Sequence, residues 1–573
     1  MDNETAQTLR NDATAADVLL DALTARGVGY FLANPGTDFP PIIESFAAAA
    51  ETGRPVPKPL VIPHENAAVA MAHGHYLISG QPQAVMVHTS VGTGNTLNTL
   101  INASRDNIPM LLLAGRSPLT ERGAFGARTR YIHWAQEMFD QAGMLREIVK
   151  WDYELKSPDN IDDVIARAFE IAMTSPRGPV YLTLPRETLA MASAASAKLP
   201  RRALPAPPHP DPAAIETLAQ WLAAAKSPLI IAANAGRRAE DAAALARLCE
   251  RFALPVISFR ERYLALPSLH PMHQGYQPRP LLGEADLILV LDCDVPWIPS
   301  LEGPKPECRI AHLGEDPAFA RYPLRSFPAD LSITATVAAG VAALERALAA
   351  RVSPDDPAIA ARRAALAERS AAQRARWAAE AERDAEGEAI TPAWASRAIA
   401  DSVGPEAVIV NEYPLRLEYC PRTLPGSYFG LAPSGGLGWG FGAALGAKLA
   451  APDRLVVATL GDGAYVFANP TACHWVAQAH GLPILTVVFN NSLYGAVRGS
   501  TLEMYGQGAA ARAQGRIMAE LGPSTAFEML VEAAGGYGQR VDKPADLPAA
   551  LARAFAAVTR EKRQALVNVV CRY

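Results

Sequence analysis

Two polar turns near the C-terminal end of the sequence have the residue types that bind a metal ion. Gly461-Asp462-Gly463 closes the apolar run "RLVVATLGDG", and Asn490-Asn491 closes the next run, "LPILTVVFNN". Glycines let a turn bring its backbone N–H groups close to a phosphate, whereas the Asp462 carboxylate would repel a phosphate unless a cation lay between them. An asparagine side chain and a nearby carbonyl would add neutral oxygens, which Mg²⁺ accepts together with one carboxylate, phosphate and water. The two turns therefore predict a site for a divalent cation and a diphosphate.

Short apolar runs bounded by turn residues predict the elements that position these turns. They are "PQAVMVHTS", "IPMLLLAG" and "GPVYLTLP" in a first block, "SPLIIAAN", "LPVISF" and "ADLILVLDCD" in a second, and "EAVIVNE", "RLVVATLGDG" and "LPILTVVFNN" in a third. Runs without polar alternation are typical of strands buried on both faces of a parallel sheet, and alanine-rich helical segments separate them here. We predict an α/β chain of three doubly wound parallel-sheet domains, in which ligands bind at the carboxyl ends of the strands.

Two stretches predict boundaries between these domains. Proline and small residues dominate "ASAASAKLPRRALPAPPHPDPAA", as is typical of a linker, and the Ala/Arg/Glu stretch from Arg351 to Thr391 is typical of a solvated helix. The predicted division is an N-terminal domain at 1–190, a linker at 191–212, a middle domain at 213–350, a helical linker at 351–391 and a C-terminal domain at 392–573.

The composition argues against several classes of protein. A net charge of -5 from 53 basic and 58 acidic residues gives no electrostatic footprint for nucleic acid. The six cysteines are scattered without a CxxC pair, which predicts neither a disulfide framework nor a zinc site. No apolar run approaches the roughly 20 residues that span a bilayer, and the polar start "MDNETAQTLRNDATAADVLL" is unlike a signal peptide. We expect a cytoplasmic protein with no nucleic-acid or membrane partner.

The spacing of the two polar turns resembles a motif of the thiamine-diphosphate-dependent enzymes. GDG is followed by 26 residues, 464–489, and then by Asn490-Asn491. The resemblance implies thiamine diphosphate as cofactor, and Mg²⁺ bound by the side chains of Asp462 and Asn491 and the backbone carbonyl of Leu493. It also implies that the three domains are the pyrimidine-binding, middle and diphosphate-binding domains of that fold. The implied cofactor contacts are Glu65, Tyr413, Pro414, Leu415, Gly435, Leu437, Gly461, Asp462, Gly463, Ala464, Asn491, Leu493, Tyr494 and Gly495.

The same resemblance gives Glu65 a catalytic role. In this family a buried glutamate at the start of a helix in the first domain contacts the aminopyrimidine ring and activates the cofactor, and "PLVIPHENAAVAMAHGHY" is similar to that place. The segment "SGGLGWGFGAALGAK" resembles the part that grips the pyrimidine, with the Gly435 carbonyl as acceptor and Leu437 as the apolar wedge. Taken alone, Glu65 would be typical of an acid that stabilises a helix N-terminus.

Within the family, the closest local likeness is to benzoylformate decarboxylase. "ANPGTDFPPII" and "VMVHTSVGTGNTLNTL" resemble its active-site turn and its histidine segment, which makes Thr37 and His88 candidate catalytic residues. A histidine titrates near neutrality, so it suits protonation of the carbanion left by CO₂ loss. The second active-site histidine of that enzyme has no counterpart here, because Pro299 or a neighbour takes its place, and Trp297 is a candidate to cover the substrate instead. For His64, His73, His75 and His133 the sequence favours structural roles.

Another segment, "IHWAQEMFDQAGMLREIVKWDYEL", is more similar to acetolactate synthase. Those enzymes usually hold a flavin in the middle domain, but their arginine- and aspartate-rich flavin turn is not recognisable here, so the sequence argues against FAD.

The predicted function is decarboxylation of a 2-oxo acid, with or without ligation of the resulting carbanion to a second carbonyl compound. One alternative is an oxalyl-CoA-decarboxylase or acyl-CoA-lyase type of enzyme, with Arg237 and Arg238 in a nucleotide pocket. Another is a catalytically inert cofactor-binding relative. The resemblance further implies a homodimer or homotetramer with active sites at the subunit interface.

The substrate itself is not specified by the sequence. The candidate pocket residues are Leu431, Ala496, Ser500 and Trp297, and the segment "GSTLEMYGQGAAARAQGRIMAE" is a candidate lid.

Overall fold

A computed structural model describes residues 13–194, 203–279 and 281–572, and these residues form three parallel β-sheets. The first sheet has six strands in the order β2-β1-β3-β4-β6-β5. Its strands are β1 (Tyr30–Asn34), β2 (Lys58–Val61), β3 (Ala84–Val87), β4 (Leu111–Arg116), β5 (Asp152–Glu154) and β6 (Val180–Pro185). Its helices are α1 (Ala15–Thr24), α2 (Pro40–Thr52), α3 (Glu65–Ser79), α4 (Thr89–Arg105), α5 (Ile132–Ala135), α6 (Ile161–Met173) and α7 (Arg186–Ala190).

The middle sheet has five strands in the order β11-β10-β9-β7-β8. Its strands are β7 (Pro228–Ala232), β8 (Val256–Ser258), β9 (Leu287–Leu291), β10 (Arg309–Gly314) and β11 (Leu331–Thr334). The helices are α8 (Pro212–Ala224), α9 (Ala239–Phe252) and α10 (Val337–Ala349), and a long helix, α11 (Pro357–Ala385), follows them.

The third sheet repeats the winding of the first, in the order β13-β12-β14-β15-β17-β16. Its strands are β12 (Val408–Glu412), β13 (Tyr428–Gly430), β14 (Val456–Gly461), β15 (Leu485–Asn490), β16 (Tyr537–Val541) and β17 (Ala565–Val570). Its helices are α12 (Pro392–Val403), α13 (Trp439–Ala450), α14 (Asp462–Phe467), α15 (Pro470–Ala479), α16 (Gly495–Met504), α17 (Ala509–Arg512), α18 (Glu528–Ala533) and α19 (Leu547–Thr559). Short 3₁₀ turns occur at Ala142–Met144, Pro158–Asn160 and Pro544–Asp546.

The predicted fold class is therefore confirmed. Central strands are largely apolar with both faces covered, as in "LILVL" of β9 and "LTVVFN" of β15, whose residues are all buried. Burial on both faces removes the polar alternation that a half-exposed strand would show. The domain boundaries stay predictions. Within the predicted linker at 191–212, residues 195–202 lie outside the described part, as do residues 1–12 of the polar start; residues 203–211 form neither helix nor strand.

The first and third sheets are joined by a close contact between α3 and α13. A Cβ placed on Gly74 of α3 would collide with the carbonyl group of Ala443, and one on Gly446 of α13 would collide with the carbonyl group of Met71. The two helices therefore meet backbone against backbone, which only glycine permits at these positions. Their packing fixes how the edges of the two sheets face each other.

The prediction that Trp297 covers the substrate is wrong. Its side chain is only 3% exposed and packs edge-on against Phe327 in the core of the middle sheet. A large aromatic side chain after a buried strand gains more free energy from such a core than from a rim position.

Within the described residues, no helix combines the length and the apolar character needed to cross a bilayer.

Candidate active site

The two polar turns of the third sheet lie side by side, as their positions after neighbouring strands require. β14 pairs with β15 in parallel, with Gly461 opposite Phe489, so both strands end at the same edge. The Ser492 backbone N–H donates to Asp462 Oδ2 at 2.6 Å, and the Gly463 N–H donates to Asp462 Oδ1 at 2.7 Å. This carboxylate therefore ties the GDG turn to the turn that contains Asn491.

Asp462 lacks a cationic partner, although its side chain is almost fully buried. The residue is 4% exposed, and no ion pair from a described lysine, arginine or histidine reaches it. Burial raises the pKa of Asp462, while hydrogen bonds from the backbone N–H groups of Gly463, Ser492, Leu493 and Asn491 lower it. A buried carboxylate that has only amide donors fits the binding of a cation.

The donor set around Asp462 suits Mg²⁺ better than a softer metal. Asn491 contributes an amide oxygen, which accepts the Leu493 N–H at 3.0 Å, and Leu493 contributes a backbone carbonyl. No group of three or more His, Cys, Asp or Glu side chains suited to a metal ion occurs among the described residues. One carboxylate with neutral oxygens is the kind of site that Mg²⁺ shares with a phosphate. The residues of this edge thus fit a Mg²⁺–diphosphate group.

A third turn of this sheet is built around the buried carboxylate of Glu412, at the end of β12. Its two oxygens accept the N–H groups of Gly438 at 2.7 Å and Gly440 at 2.6 Å, at the start of α13. Burial raises the pKa of Glu412 to about 7, although the N–H groups of Gly440, Gly438 and Trp439 lower it. The carboxylate therefore caps α13 and fixes the turn with Gly435 and Leu437 before it. The sequence analysis missed Glu412, although it is the last residue of the quoted run "EAVIVNE".

The remaining candidates for cofactor contact differ in exposure. Tyr413 has a φ of 82° and is exposed, and a Cβ on Gly435 would lie 2.9 Å from its hydroxyl oxygen. Pro414 is buried, and the Leu415 side chain packs into the core below the sheet, so only backbone atoms of Leu415 are left for a ligand. Gly495 is exposed. The other candidates are buried or partly buried: Leu437, Gly461, Gly463, Ala464, Leu493 and Tyr494.

The N-terminal sheet brings Glu65 to the corresponding edge. Glu65 is the first residue of α3 and is 6% exposed, and the Asn95 side chain donates to its Oε2 at 3.1 Å. His64 caps the same helix, with its Nδ1 accepting the Asn66 N–H. A Cβ on Gly92 would lie 3.2 Å from Glu65 Oε1, so α4 passes directly beside the carboxylate. The sequence-predicted glutamate is thus buried and held in one orientation.

His88 follows β3 and forms a pair with Asp38 that sequence reasoning missed. The His88 Nδ1 is hydrogen-bonded to Asp38 Oδ1, and Asp38 Oδ2 accepts the Thr89 N–H at 3.3 Å. Burial lowers the pKa of His88, but the hydrogen bond to Asp38 and the charges of Asp38 and Glu65 outweigh burial and raise it. The charge of Glu65 reaches His88, so these two predicted residues belong to one cluster.

The backbone also packs closely around the His88–Asp38 pair. A Cβ on Gly36 would overlap the His88 ring, and one on Gly115 would overlap the Asp38 carboxylate. On its other side, His88 Nε2 lies 3.0 Å from the side-chain nitrogen of Gln136. One signal could have found these residues, since Asp38 lies in the quoted segment "ANPGTDFPPII" and Gln136 in "IHWAQEMFDQAGMLREIVKWDYEL".

Thr37 is hydrogen-bonded to His133, and no hydrogen bond between described residues joins it to His88. The Thr37 hydroxyl lies 3.3 Å from His133 Nε2, and the Arg186 guanidinium donates to the Thr37 carbonyl at 2.9 Å. The sequence analysis gave His133 a structural role, although His133, like Gln136, lies in the quoted segment "IHWAQEMFDQAGMLREIVKWDYEL".

The turn before α13 is also held by the N-terminal domain of the same chain. Asn98 donates to the Leu437 carbonyl at 2.8 Å, and Asn102 donates to the Gly436 carbonyl at 2.7 Å. In contrast, no hydrogen bond or ion pair between described residues joins Glu65 to Asp462 directly. The chain therefore carries two polar clusters, one on each of the matching sheets.

Comparisons with known proteins cover all three sheets. The central domain of the thiamine pyrophosphate enzymes matches residues 215–344, and their N-terminal and C-terminal TPP binding domains match residues 13–144 and 415–569.

Among curated relatives, the benzoylformate decarboxylase of Pseudomonas aeruginosa is 26% identical over 500 residues, which are 83% of this chain and 86% of that protein. The acetolactate synthase large subunit of Mycobacterium tuberculosis is 26% identical over 502 residues, 86% of each chain. The likeness to both enzyme types that the sequence predicted is thereby confirmed.

One similar solved structure is that of a thiamine diphosphate-dependent 4-hydroxybenzoylformate decarboxylase from Rhodococcus jostii RHA1. The TM-score is 0.77 at 23% identity, and the match covers 98% of this chain and 99% of the other. At that identity the likeness concerns the fold.

Proposed function

Because this chain belongs to the thiamine pyrophosphate enzymes, we propose that it is a Mg²⁺- and thiamine-diphosphate-dependent decarboxylase of a 2-oxo acid, with or without carboligation. The observation that carries this proposal is the buried Asp462 carboxylate. It accepts a hydrogen bond from the 491–493 turn, and no described lysine, arginine or histidine forms an ion pair with it. The names of two similar relatives, a benzoylformate decarboxylase and an acetolactate synthase large subunit, support this reaction class.

The C-terminal cluster would hold the cofactor's diphosphate through Mg²⁺. Asp462, Asn491 and the Leu493 carbonyl would bind the ion, and the turns at Gly461–Ala464 and Tyr494-Gly495 would contact the phosphates. The Gly435 carbonyl, Leu437 and the turn at 413–415 would position the organic part. When bound, thiamine diphosphate supplies the electron sink that accepts the electron pair left by CO₂.

The N-terminal cluster, which consists of Glu65, His88 and Thr37, would bind and transfer protons. Glu65 would hold a proton at the aminopyrimidine ring, as a buried carboxylate in one orientation can. His88, whose pKa is raised in spite of burial because of Asp38 and Glu65, is protonated over a wider pH range than a free histidine, so it would give a proton to the carbanion carbon. Thr37 would donate a hydrogen bond to the substrate.

The two clusters would meet across a subunit interface. Glu65 and Asp462 have no direct contact within the described chain, and the superfamily resemblance implies a homodimer or homotetramer. We further propose a cytoplasmic location, which agrees with six cysteines that are all buried and free.

Subunit complementation tests this arrangement. Co-expressed Glu65→Gln and Asp462→Ala chains would form mixed dimers with one site intact and one site doubly altered, so activity should return although each variant alone is inactive. If mixed dimers form but stay inactive, each site lies within a single chain. A fully active monomer at all concentrations would also contradict the interface.

The decisive experiment for the reaction is CO₂ release from a panel of 2-oxo acids, with and without thiamine diphosphate and Mg²⁺. Release that needs both additions is the expected outcome. Saturable cofactor binding without turnover across the panel would instead favour an inert relative.

A second candidate, activity on a CoA thioester, is favoured by a cavity of about 430 Å³ at the edge of the middle sheet. Arg237 and Arg238 line it but are ion-paired with Asp106 and Asp241. Other arginines lining the cavity form no ion pair with a described carboxylate: Arg105, Arg177, Arg321 and Arg454. Turnover of CoA thioesters but not of free 2-oxo acids would select this candidate.

We expect no bound FAD, which the absorption spectrum of the purified protein tests.

A further inference from the structure

The loop between β4 and β5 brings a second histidine, His133, behind Thr37. His133 is 2% exposed, and its Nε2 lies 3.3 Å from the Thr37 hydroxyl oxygen. Thr37 itself is exposed, at the turn after β1. The buried ring is therefore positioned to act on the hydroxyl from the protein side, while the other side of Thr37 is open.

The other ring nitrogen of His133 decides the direction of this hydrogen bond. The Thr129 backbone N–H donates to His133 Nδ1 at 3.2 Å, so Nδ1 must be the unprotonated nitrogen of the neutral ring. The ring proton is then on Nε2, and Nε2 donates to the Thr37 oxygen. The Thr37 hydroxyl accepts this bond, which leaves its own hydrogen for another acceptor.

The surroundings keep the ring in this neutral form. Burial lowers the pKa of His133, and so do the positive charges nearby, which belong to Arg186, Arg128, Arg130 and His88. Arg186 also holds the Thr37 carbonyl and the carbonyls of Gly126 and Ala127. Among the described residues, no acceptor takes the hydrogen of the Thr37 hydroxyl.

We propose that His133 is a positioning residue, whose Nε2–H orients the Thr37 hydroxyl so that its hydrogen points into the open side of the pocket, towards an anionic oxygen of the substrate. This inference rests on the proposed function for the identity of that oxygen, a carboxylate or carbonyl oxygen of a 2-oxo acid. In this arrangement His133 acts on the substrate only through Thr37, from a loop of the first domain.

Substitution at both positions tests the coupling. His133→Phe keeps the ring shape without the donor, and His133→Gln restores an N–H near the position of Nε2. We expect His133→Phe to lower kcat/KM for the 2-oxo acid about 10-fold, mainly through KM, since one hydrogen bond to a charged group is lost. His133→Gln should recover most of it. Thr37→Val should show a similar loss, and the double variant His133→Phe/Thr37→Val should be no worse than Thr37→Val.

Three results would overturn the proposal. They are additive losses in the double variant, no recovery in His133→Gln, and a change in the pH profile of His133→Phe, because a ring that stays neutral contributes no limb to that profile. Thermal unfolding of each variant separates these outcomes from misfolding.

Neutron diffraction from the cofactor-loaded wild-type enzyme gives a readout that does not depend on activity. We expect deuterium on His133 Nε2 and none on Nδ1, with the Thr37 deuterium pointing away from the ring. Deuterium on Nδ1 would overturn the proposal. If the wild type turned over no 2-oxo acid, the proposed function would fail, while the neutron result would still decide the orientation of Thr37.

Discussion

The first and third sheets have the same strand order but carry different chemistry at the same edge. In the order β2-β1-β3-β4-β6-β5, the turns after β1 and β3 carry a hydroxyl, a carboxylate and an imidazole, those of Thr37, Asp38 and His88. In the matching order β13-β12-β14-β15-β17-β16, the turns after β14 and β15 carry oxygens and backbone N–H groups around Asp462. In doubly wound parallel sheets ligands bind outside the carboxyl ends of the strands, next to the point where the strand order reverses. That point lies between β1 and β3 in the first sheet and between β12 and β14 in the third. The comparison shows that both sheets collect polar turns at the carboxyl ends of their strands. The turn residues set what each edge presents, which is a histidine–carboxylate pair in the first sheet and a carboxylate surrounded by backbone N–H groups in the third.

The largest expected effect is in the C-terminal cluster. Asp462→Ala removes the one carboxylate of the proposed Mg²⁺ ligand set, so it should abolish both cofactor binding and activity. Thermal unfolding with and without thiamine diphosphate and Mg²⁺ checks this, because a bound ligand at 100 times its Kd stabilises the folded state by about 2.7 kcal/mol. The exposed Asp453→Ala is the matched control and should keep the full shift. A normal shift in Asp462→Ala would remove this residue from the metal site.

The next largest effect is expected for Glu65→Gln, which should separate cofactor binding by the C-terminal cluster from catalysis by the N-terminal cluster. Glu65→Gln should leave the ligand-induced shift in thermal unfolding intact, because Glu65 does not hold the diphosphate, but it should lower kcat by roughly 10²- to 10⁴-fold. Steady-state CO₂ release measures the loss, and the exposed Glu44→Gln serves as control. Turnover by Glu65→Gln close to that of the wild type would contradict the proposed catalytic role of Glu65.

Asp38→Asn tests whether Asp38 raises the pKa of His88 in the working enzyme. Asp38 holds the pKa of His88 above its usual range through a hydrogen bond and its charge, so neutralising Asp38 should lower that pKa. If protonated His88 is the donor, activity falls as the pH rises through this pKa, and the alkaline limb of the kcat profile should move to lower pH. An unmoved limb would mean that His88 is not the group that titrates there. Asp159→Asn, at an exposed site, provides the baseline.

The smallest effect tests whether the two sheets form one unit. Gly74→Ala should force α3 away from the Ala443 carbonyl and lower the free energy of unfolding by about 1–3 kcal/mol, as overpacking does. Urea denaturation measures it. Gly94→Ala, also inside a helix but with open space at its Cβ position, should be neutral or stabilising. Equal effects of the two changes would contradict the close contact between the helices.

Sequence reasoning succeeded where the signal is local. Apolar runs predicted the buried strands, and the spacing between GDG and Asn490-Asn491 predicted two turns that the structure places together. It failed where a partner comes from elsewhere in the chain. Trp297 faces the core rather than a rim, and nothing near Thr37 in the sequence announced its contact with His133, which is 96 residues away.

The sequence by itself determined the three-sheet architecture and the two polar turns of the third sheet, because hydrophobic periodicity and turn chemistry act over a few neighbouring residues. Only the tertiary structure decided that Asp38 holds His88, that Glu412 caps α13 and that His133 lies behind Thr37. Those contacts depend on how helices and loops pack over the sheet, and packing brings together side chains whose separation along the chain carries no information about their distance.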